Sequence, residues 1–211
     1  RMRERGEAFA LISDAGTPLI SDPGYVLVAS AHAAGIAVRS VPGPCALVAA
    51  LSISGLPTDR FVFEGFLPSA GGARGRRLAG LATETRTLVF YEAPHRLLAT
   101  VAALREAFGE AREGVIAREL SKRFETVYRG TLAQLGAQLA EDANATRGEL
   151  VVMVAGAPAA AADAAGAEVE RLLGVLLAET DQRTAVRVVT ALTGARRNDV
   201  YRRALALAGV D

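Results

Sequence analysis

Two similar stretches near the start of the chain, LISDAG (residues 11–16) and LISDPG (residues 19–24), place an aspartate and turn-forming residues directly behind apolar ones. In the first stretch, Asp14 can accept hydrogen bonds from the hydroxyls or amines of a ligand, and Gly16 allows the backbone to approach that ligand closely. In the second, Asp22 is a candidate general base for a weakly acidic proton. Because a proline follows it, Asp22 is also a good candidate cap for the helix that begins there. The sequence leaves both roles open.

A second candidate loop, PGPCA (residues 42–46), follows another short apolar run. We interpret Cys45 as a small wall residue rather than a nucleophile, because neither of the two histidines lies near it in sequence. Buried strands are predicted over residues 7–13 and 36–41, each followed by a loop and then by a helix. Such strand–helix repeats favour a parallel sheet, whose strands end at one common edge where ligands bind. The two loops are therefore expected to lie side by side.

A third group of reactive side chains, Glu119, Lys122 and Glu125, lies in the segment ARELSKRFE between two predicted strands. Lys122 is the only lysine among the 24 basic residues of the chain. A lysine here can lower the pKa of a nearby hydroxyl or bind an RNA phosphate. The alternative is a salt bridge at an exposed turn, which contributes little to stability. We favour the first interpretation and take Glu119 and Lys122 as candidate catalytic residues.

A second α/β unit is predicted behind the segment GLPTDR, residues 55–60, and it has to position these groups. Its strands are predicted over residues 61–66, 87–92, 114–119, 125–130 and 149–155. A glycine-rich basic loop is predicted behind the first of them, and its arginines can contact phosphates, with solvated loop charge as the equal alternative. These candidate RNA-binding residues are Arg74, Arg76 and Arg77.

The last part of the chain is predicted to be helical and basic. Residues 157–167 are rich in alanine and are predicted to form a flexible linker. Helices are predicted over about 168–178, 182–192 and 197–208, the last two joined by a tight turn that contains glycine, as in a helix-turn-helix. Between residues 183 and 203 there are six arginines and one acid, which favours RNA binding with Arg196 and Arg197 as candidates. The alternative is a small helical lid with solvated arginines.

Composition narrows the class of protein. The chain has 211 residues, 51% of them hydrophobic, which is enough for one large core or two small ones. No apolar run approaches the roughly 18 residues that a membrane span requires, and the start, RMRERGEAF, has no apolar signal core. A soluble, cytoplasmic protein is therefore predicted. A single cysteine excludes an internal disulfide, and with two histidines beside it no structural zinc site is predicted.

Five longer segments occur in a characteristic order: SDAGTPLISDPGY, VPGPCALVAALSISGLPTDRFVFEGFLP, RTLVFYEAPHRL, ARELSKRFETVYRG and GELVVMV. Together they resemble the bacterial 16S rRNA 2′-O-ribose (cytidine) methyltransferases of the tetrapyrrole methylase superfamily. The resemblance is close over residues 8–155 and looser over the helical tail. It implies an α/β fold with two domains of the tetrapyrrole methylase type, the first truncated at its N-terminus, and a small helix-turn-helix-like domain. The implied domains cover residues 1–57, 58–156 and 168–211, with the linker at 157–167.

The resemblance also implies an activity, namely methyl transfer from S-adenosylmethionine, held between the two α/β domains, to a ribose 2′-hydroxyl of a cytidine in 16S rRNA. The implied partners are 16S rRNA or the small ribosomal subunit and a second copy of the chain, with no membrane. Asp22, Glu119 and Lys122 are the expected catalytic residues. Cofactor contacts, made largely through the backbone in the second domain, are implied for Asp14, Ala15, Gly16, Thr17, Cys45, Ala46, Tyr91, Arg118 and Glu149.

One departure from the family pattern concerns the cofactor. The family begins with a strand that carries a P-T-P-I-G-N-L-type loop, and no such motif occurs in this chain. Because that loop helps to enclose the methyl donor, residues 1–211 alone are expected to bind S-adenosylmethionine weakly or not at all. Two alternative functions stay open: methylation of ring carbons of a precorrin-type tetrapyrrole, and RNA binding without catalysis.

Overall fold

The computed structural model describes residue 6 and residues 8–207. One mixed sheet of five strands organises them, in the order β1-β2-β5-β3-β4. Strands β1 and β2 are parallel, and the other neighbouring pairs are antiparallel. The strands are β1 (Phe61–Phe66), β2 (Thr87–Glu92), β3 (Glu113–Arg118), β4 (Thr126–Thr131) and β5 (Leu150–Val154). The five predicted strands of the second α/β unit are thus confirmed to within one residue at each end.

Eight α-helices accompany the sheet within the described residues. They are α1 (Tyr25–Ala33), α2 (Ala46–Ser54), α3 (Gly71–Ala79), α4 (Leu97–Phe108), α5 (Leu132–Glu141), α6 (Ala159–Glu179), α7 (Gln182–Thr193) and α8 (Arg197–Leu207). A short 3₁₀ turn, Pro94–Arg96, precedes α4. Helix α5 begins with a capping box, in which Thr131 and Gln134 each satisfy the other's backbone N–H.

Side-chain alternation divides the sheet into two faces with separate cores. One face carries Leu88, Phe90 and Ile116 and is covered by helices α3, α4 and α5. The opposite face carries Val89 and Val115 and is covered by α2. Because successive strand residues point to opposite faces, the parity of a residue decides which of the two environments it enters.

The two strands predicted for the part of the chain before residue 58, here called the first lobe, are not formed. Residues 8–13 and 36–41 have no strand structure, and residue 7 lies outside the described part of the chain. Every ladder among the described residues joins strands that begin at Phe61 or later. A strand requires a hydrogen-bonded neighbour, and these two apolar segments have none there. Their large side chains stay accessible, with Ile12 83% and Val41 87% exposed.

Three further predictions are corrected by the helices. The glycine-rich basic loop behind β1 is helix α3, because its arginines, alanines and leucine support a helix in spite of the glycines. Asp22 does not cap α1, whose N-cap is Gly24 without a side-chain hydrogen bond. Helix α6 extends through most of residues 157–167, where a flexible linker was predicted; alanine, the strongest helix former, dominates this stretch.

Helices α6, α7 and α8 form a separate small core at the C-terminal end of the chain. Leu173 of α6, Val189 of α7 and Val200 of α8 are fully buried in it. Helix α7 is capped by Asp181, whose side chain accepts from the Thr184 N–H, and ends at Gly194 with φ +67°. The predicted tight turn between the last two helices is confirmed, and the final predicted residue of the last helix, 208, lies outside the described residues.

A salt bridge fastens the segment between α3 and β2. Glu84 accepts from the backbone N–H, Nε and Nη2 of Arg86, and its own carbonyl accepts from the Ala157 N–H. The side-chain hydrogen bonds from Arg86 lower the pKa of Glu84 to about 2.

Because the folded-state pKa is depressed, the Glu84 carboxylate contributes stability at pH values above its unfolded pKa, near 4.5, and this is lost as pH falls toward 2. We expect Glu84→Gln to lower the free energy of unfolding at pH 7. The difference in this free energy between the variant and wild type should narrow as pH falls from 4.5 to 2. Urea denaturation at pH 7 and across this range measures the free energy of unfolding of each protein. A difference that stays constant with pH would contradict a charge-dependent role for Glu84.

Candidate cofactor crevice and catalytic site

The two loops singled out in the first lobe touch each other. The Thr17 N–H and hydroxyl both donate to the Pro44 carbonyl, at 2.9 Å each. Gly16 has φ +73°, and a Cβ at this position would lie 3.2 Å from the same carbonyl. Loop 14–17 and loop 42–45 therefore converge as predicted, although the strands expected to bring them together are absent from the described residues.

Tyr91 connects these loops to the sheet. Its hydroxyl accepts from the Leu47 N–H at 3.1 Å and lies 4.0 Å from the Cys45 sulfur. The Leu47 N–H is in the first turn of α2, where backbone donors have no partner inside the helix. Burial is the main cause that raises the pKa of Tyr91, so the phenol remains protonated at neutral pH. Phe63 packs edge-on against the Tyr91 ring at 4.9 Å and forms an apolar wall.

Glu119 and Lys122 form an ion pair just after the end of β3, and Glu149 also contacts Lys122. Lys122 Nζ lies 2.9 Å from Glu119 Oε1 and 3.0 Å from Glu149 Oε2. Glu119 also accepts from the Glu149 N–H at 2.8 Å. Hydrogen bonding to Lys122 lowers the pKa of Glu119, and bonding to Glu119 and then Glu149 raises the pKa of Lys122. Lys122 is thus held as an ammonium group between two carboxylates, while Glu125 instead accepts from the Ser121 N–H.

The side chain of Arg118 points away from the shared edge, so the predicted cofactor contact, expected largely through the backbone, stays a prediction. Its side chain is buried on the α4–α5 face of the sheet and donates to Thr126 Oγ1 at 2.8 Å. Tyr91 and Cys45 belong to the opposite face. Only the backbone of Arg118 reaches the edge that the loops share, because the alternation along β3 directs its side chain away.

The remaining predicted residues differ in exposure. Asp14, Ala15 and Ala46 are exposed, and Asp22 is half-buried. Neither aspartate forms a hydrogen bond or ion pair with another described residue, so both carboxylates are available to a ligand.

An ion pair between the buried Glu92 and the half-buried Arg96 was not foreseen. Glu92 is 3% exposed at the end of β2, accepts from Thr100 Oγ1 at 2.5 Å and lies 3.2 Å from Arg96 Nε. Arg96 in turn donates to the Leu67 carbonyl at 2.6 Å. The pair ties the ends of β1 and β2 together. An acid that closes an apolar strand, as in TLVFYE, is the sequence signal that could have indicated it.

The candidate RNA-binding arginines lie on two surfaces. Arg76 and Arg77 are exposed on α3, where Arg77 Nε donates to Glu64 at 2.7 Å, and Arg74 is half-buried. Arg196 and Arg197 are exposed at the start of α8. Arg196 also lines a groove of about 920 Å³ between the C-terminal helices and the segment from α3 to β2.

Two family models and several known methyltransferases match the sequence of this chain. Residues 2–136 match the family described as tetrapyrrole (corrin/porphyrin) methylases, and residues 163–208 match the RsmI C-terminal HTH domain. The chain is 54% identical over 201 residues to ribosomal RNA small subunit methyltransferase I of Pseudomonas aeruginosa, covering 95% of this chain and 71% of the relative. It is 53% identical to the protein of that name from Xylella fastidiosa, covering 93% and 71%.

The chain belongs to the ribosomal RNA small subunit methyltransferase I family of tetrapyrrole methylases. It is an S-adenosylmethionine-dependent methyltransferase. The predicted fold class is confirmed by the two family matches. A solved structure, that of the methyltransferase CobJ, shares the fold at 21% identity and a TM-score of 0.54, covering 74% of this chain and 67% of that one.

The crevice of this methyltransferase fits the chemistry of the donor. The donor's sulfonium and ammonium groups are cationic, and the described crevice presents the unpartnered carboxylate of Asp14 and the carbonyls of loop 42–45. The half-buried Cys45 and the Phe63–Tyr91 pair give this edge of the sheet an apolar surface. The described residues contain no cluster of His, Cys, Asp or Glu suited to a metal ion, and no helix in that part of the chain is long and apolar enough to cross a membrane.

Proposed function

We propose that this methyltransferase modifies the ribose 2′-hydroxyl of a cytidine in 16S rRNA of the small ribosomal subunit. The observation that supports it is the contact between loops 14–17 and 42–45, the second of which lies against Tyr91 at the sheet edge that also carries Lys122. The names of the relatives supply the RNA substrate. The same resemblance supports a homodimer and a cytoplasmic location as parts of the proposal.

In the proposed mechanism, S-adenosylmethionine supplies an electrophilic methyl group. Asp14, Gly16 and Thr17 would hold the donor from one side, and Cys45, Ala46 and Tyr91 would hold it from the other. Asp22 would accept the proton of the ribose hydroxyl as the ribose oxygen bonds to the methyl carbon, while the bond from that carbon to the donor's sulfur breaks and S-adenosylhomocysteine leaves. Holding donor and acceptor in line can contribute on the order of 7–11 kcal/mol in favourable cases, and a positioned base roughly 10²- to 10⁴-fold in rate.

Lys122 has an electrostatic role in this scheme. Because Glu119 and Glu149 keep it protonated, it cannot act as a base at neutral pH. An ammonium group instead stabilises the developing negative charge of the ribose oxygen or binds the neighbouring phosphate. Glu119 is a positioning residue that orients Lys122, and Glu149 contributes to the same network.

The two basic surfaces are proposed to bind the RNA backbone. Replacing Arg74, Arg76 and Arg77 together with glutamine is expected to weaken 16S rRNA binding and flatten its salt dependence, the slope falling by about 0.7 for each phosphate that is no longer neutralised. Binding isotherms at several salt concentrations measure the slope. Arg105→Gln on α4 is the control, because Arg105 pairs with Glu110 at another surface. An unchanged slope in the triple variant would assign these arginines to solvent.

The function itself is tested by incubating the complete enzyme, with the donor-enclosing loop of the family present, with labelled S-adenosylmethionine and small ribosomal subunits that lack the modification. Label is expected in 16S rRNA, in a nucleotide whose 3′ phosphodiester bond resists alkaline cleavage because its ribose 2′-oxygen is methylated. Label on a base, or transfer to a precorrin-type tetrapyrrole instead of RNA, would overturn the proposal.

A further inference from the structure

The tip of the β3–β4 hairpin presents an aromatic ring to solvent beside a cation. Phe124 is 62% exposed, and the Arg123 guanidinium lies over its ring, 5.5 Å from the centroid. Neither core of the α/β body includes this ring. Its position therefore calls for an explanation other than packing within the described chain.

The turn that carries this ring is held in one conformation. The Ser121 N–H donates to Glu125 Oε2 at 2.5 Å, and the Lys122 N–H donates to the Glu119 carbonyl at 3.0 Å. Glu119 and Ser121 have φ values of +51° and +62°, which non-glycine residues adopt only where surrounding contacts enforce them. Such strained, well-bonded turns are concentrated at functional sites. The turn therefore holds the Phe124 ring in a fixed position at the surface.

The hairpin tip belongs to the same edge of the sheet as the crevice. Leu150 pairs with Arg118 at the end of β3 and with Glu92 at the end of β2, next to Tyr91. Leu120, within the turn itself, packs in the same apolar cluster as Cys45 and Tyr91. Phe124 therefore stands two residues beyond Lys122, at the edge where the proposed reaction takes place.

We propose that Phe124 and Arg123 form a stacking site for an RNA base next to the nucleotide that is methylated. This inference rests on the proposed function. An aromatic face binds any base by stacking, and an adjacent guanidinium adds a cation–π contact or a phosphate contact. The site would thus hold the strand beside Lys122 without reading its sequence.

The chain has no tryptophan, so a single substitution turns this position into a spectroscopic reporter. In Phe124→Trp, addition of oligocytidylate is expected to quench the sole tryptophan. Leu98→Trp is the matched control: Leu98 is 52% exposed on α4, which covers the opposite face of the sheet, and its fluorescence should not change. Equal fluorescence responses of the two reporters would overturn the inference.

Binding measurements complete the test. Phe124→Ala is expected to weaken binding of 16S rRNA on the order of tenfold without changing the salt slope, and Phe124→Trp should bind like wild type. If wild type binds and methylates rRNA but Phe124→Ala matches it, only the stacking site is wrong. If wild type neither binds nor methylates rRNA, the proposed function fails as well. A change in oligomeric state of Phe124→Ala without loss of RNA affinity would assign the ring to a protein contact and overturn the inference.

Discussion

Replacing Gly156 with alanine is expected to destabilise the protein severely. A Cβ at this position would lie 1.8 Å from the Thr85 carbonyl oxygen and 2.2 Å from its carbon. These are backbone atoms, so no rotation of a side chain relieves the overlap. On either side, the Ala155 N–H donates to the Glu113 carbonyl and the Ala157 N–H to the Glu84 carbonyl, at 2.9 and 2.6 Å. We expect a loss of about 3 kcal/mol, the upper end of what overpacking that forces backbone shifts typically costs.

The matched control is Gly174→Ala. Gly174 lies in helix α6 with no atom within 4 Å of the added methyl group, so alanine should stabilise the helix by about 0.5–1 kcal/mol. Urea denaturation of the two variants measures both effects. A Gly156→Ala variant as stable as wild type would show that the segment leading into α6 can move away from Thr85, contrary to the close approach described above.

Replacing Asp22 with asparagine is expected to reduce methyl transfer by roughly 10²- to 10⁴-fold. Asparagine preserves the size of the side chain and removes its capacity to accept a proton. Because Gly24, not Asp22, is the N-cap of α1, no helix cap is lost. Stability and S-adenosylmethionine affinity should therefore remain close to those of wild type, and the loss should appear in kcat.

Single-turnover methylation of small ribosomal subunits measures the effect. Asp59→Asn serves as the control, because Asp59 is an exposed acid outside the crevice. Near-normal methylation by Asp22→Asn, introduced into the complete enzyme, would remove Asp22 as the base. The proton would then have to pass to another group or to water, with Lys122 still providing electrostatic stabilisation.

Much of the second α/β domain could be predicted from local pattern. Strands β1 and β2 occupy the predicted residues 61–66 and 87–92. Short apolar runs bounded by turn formers carry enough local information for this, and helix α5 likewise starts at a local signal, the capping box of Thr131 and Gln134. In the first lobe the same reasoning failed, since β structure depends on a partner strand rather than on the segment alone.

In the candidate site, too, some features could be predicted from the sequence and others could not. Residue types and turn chemistry were enough to indicate the Asp14–Thr17 loop, Cys45 and the Glu119–Lys122 pair. They did not indicate that Arg118 would turn to the far face of the sheet, which follows from a single step of strand register. Nor did they indicate that Glu92 would be buried and paired with Arg96, which ties two strand ends together.

The sequence by itself determined the family, the strands of the second domain and the chemical groups at the loops, because each of these is encoded within a few neighbouring residues. Only the tertiary structure decided which groups meet. The Tyr91 hydroxyl reaches the start of α2 across 44 residues, and Lys122 reaches Glu149 across 27. Contacts over such separations depend on how the strands are ordered and paired in the sheet, and no local pattern specifies that order.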